Sequence, residues 1–334
     1  MALLWIDGFE GYGSTGNIVG LMGARGWIGT TQWIYPFAGR LSGYGIYYDS
    51  GVWACQTPIL TSTPSANTDP TFIVGWAQYK LNGTISIYHY TTLGISIIVT
   101  GSSIEVKLGT TSLSIYNTTI LDAVWYYIET KVYCHPTEGT VEVRLNGTTV
   151  ISLSSINTQT GSEAFYNTVK FTMSMNAGLD DIYVCDGSGT SCNDFLGVCK
   201  ILPLLPCSDT GTVQWTPSAG TEHYVLVDEN PASTTDYVSS NTQGQIDLYG
   251  YPSLASPRTI LGVQVNTTAL LSLGTSIILE SPIISNGVYD LGEDFQLISS
   301  GALDQRHIST TDPSTNEPWT VANLAAAQIG VRVV

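Results

Sequence analysis

The sequence predicts an all-β protein. Only 11% of its 334 residues are charged, less than half of the ~25% found in an ordinary soluble domain. Hydrophobic residues make up 43% of the chain, and 34 residues are glycine. Short runs in which apolar and polar residues alternate recur along the chain, separated by Gly, Asn or Pro. No long segment has a helical period before the extreme C-terminus. Together these observations indicate an all-β architecture.

Two Asn-Gly pairs predict β-hairpins. Asn146-Gly147 lies between two alternating runs, and both residues tolerate the positive φ that a two-residue hairpin turn requires. Asn82-Gly83 occupies the same position between two earlier runs. We predict strands in this half of the chain at 72–80, 85–90, 95–99, 104–108, 112–116, 124–133, 141–145, 150–153, 169–175 and 179–185.

Charge pairs within strands indicate a solvated sheet face. Residues i and i+2 of a strand share a face, so each pair presents opposite charges to water while the residue between them points the other way. The pairs are Glu105 with Lys107, Glu129 with Lys131, and Glu142 with Arg144. From the same alternation, the residues predicted to form the first core are Phe72, Val74, Trp125, Ile128, Val143, Leu145 and Phe171.

The sequence indicates no catalytic centre. Two carboxylates that act together as acid and base must lie on one face. Asp180 and Asp181 are adjacent, so we expect their side chains to point to opposite faces of a strand. The chain contains no G-x-S-x-G, H-E-x-x-H or phosphate-binding loop motif. We therefore predict that the protein is not an enzyme.

A domain boundary is predicted at residues 187–206. Residues 187–191 have the composition of a loop, and Pro203 and Pro206 bracket an apolar stretch that cannot be a central strand. The prediction is an N-terminal domain at 1–186, a linker at 187–206 and a C-terminal β domain at 207–334. Strands of the second domain are predicted at 224–227, 260–265, 276–280, 287–291 and 295–299.

The last residues of the chain differ in composition from the rest. Residues 321–328 are rich enough in Ala and Leu for two helical turns, which Gly330 would end. Residues 331–334 are predicted to form a strand. That strand either completes the sheet of its own domain or forms an exposed edge that invites association with other chains.

The charge balance disfavours several classes of partner. The 11 basic and 27 acidic residues give a formal net charge of −16, whereas nucleic-acid binding depends on clustered Lys and Arg. No apolar run reaches the ~18 residues that span a bilayer. Asp7 and Glu10, with no basic leader before them, do not fit a secretory signal. We expect neither a nucleic-acid partner nor a membrane.

The cysteine spacing does not fit zinc. Four of the six cysteines lie between residues 185 and 207, but none forms the close pair that a structural zinc site uses. Disulfides and free thiols both stay open as interpretations.

One loop fits the ligand chemistry of calcium. Asp186, Ser188, Thr190 and Asp194 place oxygen-bearing side chains at short intervals among glycines, as a hard cation requires. We predict a calcium site there, with a solvated loop as the alternative interpretation. No other cofactor is predicted.

Several segments resemble concanavalin A-like, LamG-like jelly rolls. They are the opening at 6–10, the strand at 125–132 with its continuation at 139–147, and the closing segment at 179–184. In that family the first and last strands pair, which the resemblance implies for the segments around Asp7 and Asp180. The implied fold is an N-terminal jelly-roll sandwich and a smaller C-terminal β-sandwich-like domain with one short helix.

The rest of the chain resembles a two-domain structural protein of tailed bacteriophages. The segments that carry this likeness are 185–187, 193–197, 214–217, 227–229, 236–238 and 318–321. The resemblance implies a non-enzymatic virion protein, made in the host cytoplasm and exposed on the particle as a head decoration or cement protein, or as a tail or fibre component. Its implied partners are capsid or tail subunits and further copies of the chain, in a homo-oligomer.

Two other functions stay open. A glycan-binding adhesin of the tail would stack some of the 19 Tyr and 8 Trp side chains on the sugars of a host surface glycan, although most rings are expected in the core. A glycan hydrolase on the same scaffold is disfavoured by the missing carboxylate pair.

Overall fold

The protein folds into two compact units, Met1–Leu202 and Pro203–Val334. Both are built almost entirely of strands, which confirms the all-β fold class. The domain limits predicted from the sequence, with their linker at 187–206, stay a prediction. The computed structural model describes residues 2–14, 16–29, 34–48, 50–60, 69–80, 83–255, 258–272, 274, 276–298 and 303–334.

The N-terminal unit starts with strand β1 (Leu3–Asp7), a 3₁₀ turn (Glu10–Tyr12) and helix α1 (Val19–Ala24). The strands that follow are β2 (Tyr35–Ala38), β3 (Tyr44–Tyr47), β4 (Trp53–Gln56), β5 (Thr71–Tyr79), β6 (Gly83–His89), β7 (Thr92–Val99), β8 (Ser103–Leu108), β9 (Thr111–Asn117), β10 (Trp125–Tyr133), β11 (Gly139–Leu145), β12 (Thr148–Ile156), β13 (Thr168–Met173) and β14 (Gly178–Asp186).

These strands form the two sheets of a jelly-roll sandwich. The sheet that we call the front sheet has the order β12-β11-β10-β5-β14-β3-β2, and β1 also pairs with β14. The back sheet has the order β4-β13-β6-β7-β8-β9. β1 and β14 run antiparallel with Asp7 opposite Ile182. This pairing of first and last strands confirms what the jelly-roll resemblance implied.

The core of this unit lies between the two sheets. Trp76 of the front sheet meets Phe171 of the back sheet edge to face, with ring centroids 6.4 Å apart. The predicted core residues are buried or packed against the core, with the exception of Trp125. That prediction is wrong because Ile128 faces the core and Trp125, three positions earlier on β10, must face outward.

The Asn-Gly turn between β11 and β12 is confirmed. Asn146 has φ 50° and Gly147 has φ 82°, as a two-residue hairpin turn requires. The first residue of the other predicted turn, Asn82, lies outside the described residues, and Gly83 begins β6.

Two of the three charge pairs lie on partly exposed surface, as predicted. Lys107 lies 3.5 Å from Glu105 Oε2, and Arg144 Nε lies 2.9 Å from Glu142 Oε1. The prediction is wrong for Glu129, which is only 1% exposed. Its side chain does face outward, but a later segment of the chain lies over it.

The C-terminal unit is also mainly sheet. Its elements are β15 (Ser208–Val213), β16 (Thr216–Pro217), a 3₁₀ turn (Tyr224–Leu226), β17 (Val238–Ser239), β18 (Ile246–Gly250), β19 (Val263–Ala269), β20 (Ile277–Glu280), β21 (Ile283–Ser285), β22 (Val288–Asp290), β23 (Phe295–Leu297), β24 (Leu303–Ser309), α2 (Val321–Ala326) and β25 (Gln328–Val333). The central sheet has the order β15-β18-β25-β20-β23, and β21 joins it through β25 and pairs with β22. Helix α2 is capped by Thr320, whose hydroxyl accepts from the Asn323 amide at 3.1 Å. Neither α1 nor α2, the α-helices among the described residues, is long and apolar enough to cross a membrane.

The predicted C-terminal strand completes the sheet of its own unit. β25 lies between β18 and β20 and is therefore a central strand and not an exposed edge. Gly330 lies within β25 and does not end the helix as predicted. A Cβ at this position would lie 1.8 Å from the Asp247 carbonyl oxygen, so the glycine allows the two strands to approach. The strand predicted at 224–227 is a 3₁₀ turn.

Candidate functional site

A row of aromatic side chains crosses the outer face of the front sheet. The strand register places Tyr35 opposite Tyr47, Tyr47 opposite Gly178, Gly178 opposite Tyr79, and Tyr79 opposite Trp125. Because directly opposed residues share a face, these side chains project from the same side of five neighbouring strands. We call Tyr35, Phe37, Tyr47, Tyr79 and Trp125 the aromatic row.

The rings of the aromatic row form a continuous surface. The Phe37 ring centroid lies 5.1 Å from that of Tyr47 and 5.0 Å from that of Tyr79, so Phe37 connects these two rings. The Tyr79 and Trp125 rings are 5.4 Å apart. All five residues are half-buried, so part of each one faces water. Four steps between neighbouring strands give the row a length of about 19 Å.

Two glycines make room for the Trp125 indole. A Cβ on Gly45 would lie 3.2 Å from Trp125 Cη2, and a Cβ on Gly178 would lie 3.4 Å from the same atom. The indole therefore lies over the backbone of β3 and β14, where a larger side chain would displace it.

A β-bulge brings two neighbouring carboxylates together beside the row. The pairing of β14 with β5 shifts between Asp180 and Tyr183, and Asp181 has φ 47°. Asp180 Oδ2 accepts from the Arg40 amide at 2.7 Å, and Asp181 Oδ2 accepts from Arg40 Nε at 3.0 Å. The expectation that Asp180 and Asp181 point to opposite faces is therefore wrong, because a bulge interrupts the alternation of a strand.

Glu10 and Lys200 complete a buried charge cluster with Arg40, Asp180 and Asp181. Lys200 Nζ lies 3.3 Å from Glu10 Oε1 and donates to the Ser42 carbonyl at 2.6 Å. Arg40 Nη2 lies 2.8 Å from Asp181 Oδ2. Three carboxyl groups and two cations are thus held together within this unit, and we call these five residues the charge cluster.

Burial shifts the pKa values of the carboxyl groups in the charge cluster. Burial, followed by the charge of Asp180, raises the pKa of Glu10 to about 8. Burial and the charge of Asp181 raise the pKa of Asp180 to about 7. Burial also raises the pKa of Asp181, against the opposing effect of hydrogen bonds from Ile201 and Arg40. Protons therefore bind and leave this cluster close to neutral pH.

Residues 194–201, which we call the strap, cross the outer face of the front sheet without regular secondary structure. At one end Asp194 Oδ1 lies 2.8 Å from Lys131 Nζ, and in the middle the Gly197 amide donates to Glu129 Oε1 at 2.8 Å. Tyr183 also donates to that Glu129 oxygen, at 2.5 Å. The strap is therefore the reason why Glu129 is buried.

The other end of the strap is held by the charge cluster. The Ile201 amide donates to Asp181 Oδ1 at 2.8 Å, and Arg40 donates to the Cys199 carbonyl. The Arg40 guanidinium lies 4.9 Å from the centre of the Tyr127 ring, and Tyr127 follows Trp125 by two positions on the same face of β10. A Cβ on Gly45 would lie 3.2 Å from both Asp180 Cβ and Trp125 Cη2. The charge cluster and the strap thus border the aromatic row.

The predicted calcium loop has internal hydrogen bonds. Asp186 Oδ1 accepts from the Ser188 amide at 2.9 Å and from its hydroxyl at 2.5 Å. Asp194, which lies in the strap, accepts a hydrogen bond from Lys131 of β10, and Thr190 is exposed. In the part of the chain that the structure describes, no three His, Cys, Asp or Glu side chains are grouped to hold a metal ion. The calcium site stays a prediction. All six cysteines are free thiols.

Sequence reasoning did not single out the aromatic row. Three of its rings lie in two short strands, 35–38 and 44–47, whose aromatic residues and glycines are easily taken for loop sequence, and Trp125 was assigned to the core. Arg40 and Glu10 were also missed as site residues, because nothing in the local sequence indicates that they meet the end of β14.

Comparisons with known proteins find likenesses in fold only. No protein-family model matches the chain, and no curated protein matches it. Among solved structures, the carbohydrate-binding module CBM66 from Bacillus subtilis is 12% identical, with a TM-score of 0.32, over 48% of this chain and 96% of that one. Galectin LEC-6 from Caenorhabditis elegans is 10% identical, with a TM-score of 0.26, over 48% of this chain and 96% of that one.

An enzyme is also among these structures. An endo-β-1,4-glucuronan lyase from the fungus Trichoderma reesei is 8% identical, with a TM-score of 0.34, over 47% of this chain and 88% of that one. At these identities the likeness concerns the β-sandwich and carries neither activity nor ligand to this chain.

Proposed function

We propose that the N-terminal unit binds a carbohydrate chain along the aromatic row. The observation that carries this proposal is the continuous surface of half-buried aromatic residues, four of them in one register row and the fifth, Phe37, joining Tyr47 to Tyr79. Aromatic rings with a polar group at one end suit surfaces that contact both apolar groups and water. The carbon-bound hydrogens of a sugar ring offer the flat apolar face that such rings can stack against.

The dimensions and charge of the site indicate the kind of carbohydrate. A row about 19 Å long suits several linked sugars better than a single one, with the chain running across the strands. Arg40 and Lys200, the cations beside the row, already face carboxylates. The net charge of −16 repels acidic polysaccharides. We therefore propose a neutral, linear glycan, bound without turnover.

Binding of the full chain to an array of neutral oligosaccharides tests this function, followed by titration calorimetry on the best ligand. We expect Trp125→Ala and Tyr79→Ala each to weaken binding about tenfold or more, since buried stacking contacts dominate such interfaces. Tyr289→Ala is the matched control, because Tyr289 is a 54% exposed ring in the other unit. Absence of any glycan ligand, or unchanged affinity of Trp125→Ala, would contradict the proposal.

We also propose that the protein is a component of a tailed-phage particle. The resemblance of the sequence supports this second function, as does the net charge of −16, which disfavours adhesion to packaged DNA. The protein would be exposed as a head decoration or as a tail or fibre component, as a homo-oligomer in contact with capsid or tail subunits. A glycan-binding face would then recognise the host surface.

Purified particles test this second proposal. We expect mass spectrometry of a particle purified through a density gradient to contain the chain, and antibodies against it to label the head or the tail. A chain that stays in the lysate and leaves the particles unlabelled would contradict a virion role, whatever the outcome of the glycan titration.

A further inference from the structure

The two ends of the strap are held by different kinds of contact. The N-terminal end is held by the Asp194 to Lys131 pair and by the Phe195 ring, whose centre lies 3.9 Å from the Arg144 guanidinium. The C-terminal end, 199–201, is held by Asp181, by Arg40 and through Lys200, which donates to the Ser42 carbonyl and lies 3.3 Å from Glu10 Oε1. Apart from the Ser42 carbonyl and the Tyr127 hydroxyl, which lies 3.5 Å from Cys199 Sγ, these partners belong to the charge cluster.

Of the segments that surround the charge cluster, the strap is the one that can move most readily. β14, which carries Asp180 and Asp181, is hydrogen-bonded to strands on either side. The strap has no strand partner, and its contacts with the sheet are individual hydrogen bonds and ion pairs. When the charge of the cluster changes, residues 199–201 can therefore withdraw. Their withdrawal would admit water to the carboxylates without breaking the sheet.

We propose that the charge cluster is a pH-operated clamp that holds the C-terminal end of the strap against the front sheet at acidic and neutral pH and releases it at mildly alkaline pH. Because this end of the strap borders the aromatic row, release would also change the edge of the glycan site. That last consequence rests on the proposed function, whereas the clamp itself does not.

The charges around Glu10 explain the direction of the switch. Glu10 is faced by Asp180 and Asp181 from β14 and by Lys200 from the strap, while Arg40 pairs with Asp181. Arg25, at the end of α1, donates to the Gly11 carbonyl beside Glu10. While Glu10 and Asp180 are protonated, Arg40 and Lys200 outnumber the remaining carboxylate. Once both are ionised, three buried carboxylates face these two cations. The excess negative charge is relieved when water enters.

Neighbouring groups do not compensate for this change. The Cys199 thiol and the Tyr127 hydroxyl lie next to the strap, but burial raises the pKa of Cys199 to about 11 and the pKa of Tyr127 well above its usual value. Both stay neutral in the range in which the clamp operates.

Amide hydrogen exchange followed by NMR on the full chain tests the clamp. The Ile201 amide reports the anchor to Asp181, and the Gly197 amide, bonded to Glu129, is an internal reference in the same strap. After correction for the intrinsic rate, we expect the protection of Ile201 to fall about tenfold or more between pH 6 and pH 9. The protection of Gly197 should change far less.

Variants separate the clamp from general loosening. Glu10→Gln should reduce the fall at Ile201, because the amide cannot ionise. Lys200→Met should lower the protection of Ile201 at both pH values. Glu105→Gln, in a partly exposed pair on the back sheet, is the control and should behave as the wild type.

Equal protection of Ile201 at pH 6 and pH 9, or an unchanged fall of that protection in Glu10→Gln, would overturn the proposal. None of these measurements needs a glycan, so failure of the glycan proposal would be seen separately.

Discussion

Tyr79 and Trp125 lie directly opposite each other on β5 and β10, with ring centroids 5.4 Å apart. The contact exists because nine successive residue pairs keep these two strands in one register. A shift of either strand by one residue would turn the ring of that strand toward the core. The candidate glycan site is therefore a property of the sheet and not of a surface loop.

The glycine beneath the indole offers one test of the site. A Cβ on Gly45 would lie 2.6 Å from the Leu179 carbonyl oxygen, a backbone atom that cannot turn aside, so we expect Gly45→Ala to lower the free energy of unfolding by about 1–3 kcal/mol. Gly23→Ala is the matched control, because Gly23 lies in α1 with open space around it. There we expect no loss, or a gain of about 0.5–1 kcal/mol. Urea denaturation measures both, and equal effects would contradict the packing argument.

The pair of Arg40 with Asp181 should matter far more than a surface pair. Removing one partner leaves a buried charge uncompensated, so we expect Asp181→Asn or Arg40→Met to cost about 3–5 kcal/mol. The double variant should cost less than the sum of the two. Lys107→Met, which breaks the partly exposed pair with Glu105, should cost no more than about 1 kcal/mol. Additive losses in the double variant would mean that the two residues act independently.

Stability of the N-terminal unit should fall as the pH rises past neutral. The pKa values of Asp180 and Glu10 are about 7 and about 8 in the folded unit, above their usual values of 3.8 and 4.5. The folded unit therefore holds protons that the unfolded chain has lost. The stability that these protons provide is complete below the usual values and disappears as the pH rises through 7 and 8. Thermal unfolding across this range checks the slope, and Glu10→Gln should flatten it. A slope of the opposite sign would contradict the assignment.

His307 should show a separate pH dependence in the C-terminal unit. Burial alone would lower its pKa, but hydrogen bonds with the Asp290 carboxylate, 3.1 Å from Nε2, and with the Ser281 carbonyl raise it above the usual 6.5. Its contribution to stability is complete below the usual value and is lost as the pH rises through the folded value. We expect Asp290→Asn to lower the His307 titration midpoint in NMR spectra. An unmoved His307 midpoint would contradict this pairing.

The sequence allowed prediction of long elements better than of the site. Strands such as β8 and β11 have clear alternation, and the Asn146-Gly147 pair is typical of a two-residue hairpin turn, so their positions could be predicted directly. Alternation failed at Asp181, because a bulge with positive φ is set by the neighbouring strand and leaves no mark in the local sequence. The burial of Glu129 could not be foreseen for a similar reason, since its cover comes from a strap far along the chain.

The pairing of β1 with β14 has a consequence for the speed of folding. Leu3 lies opposite Cys185, so the front sheet is complete only when the two ends of the N-terminal unit meet. Contacts so distant in sequence give a high contact order, and proteins dominated by such contacts fold in milliseconds to seconds, much more slowly than helical bundles. Until β14 pairs with the sheet, three strands each lack a neighbouring strand: β5, β3 and β1. Their unpaired edges are then open to other chains. We therefore expect the yield of refolded protein to depend steeply on its concentration.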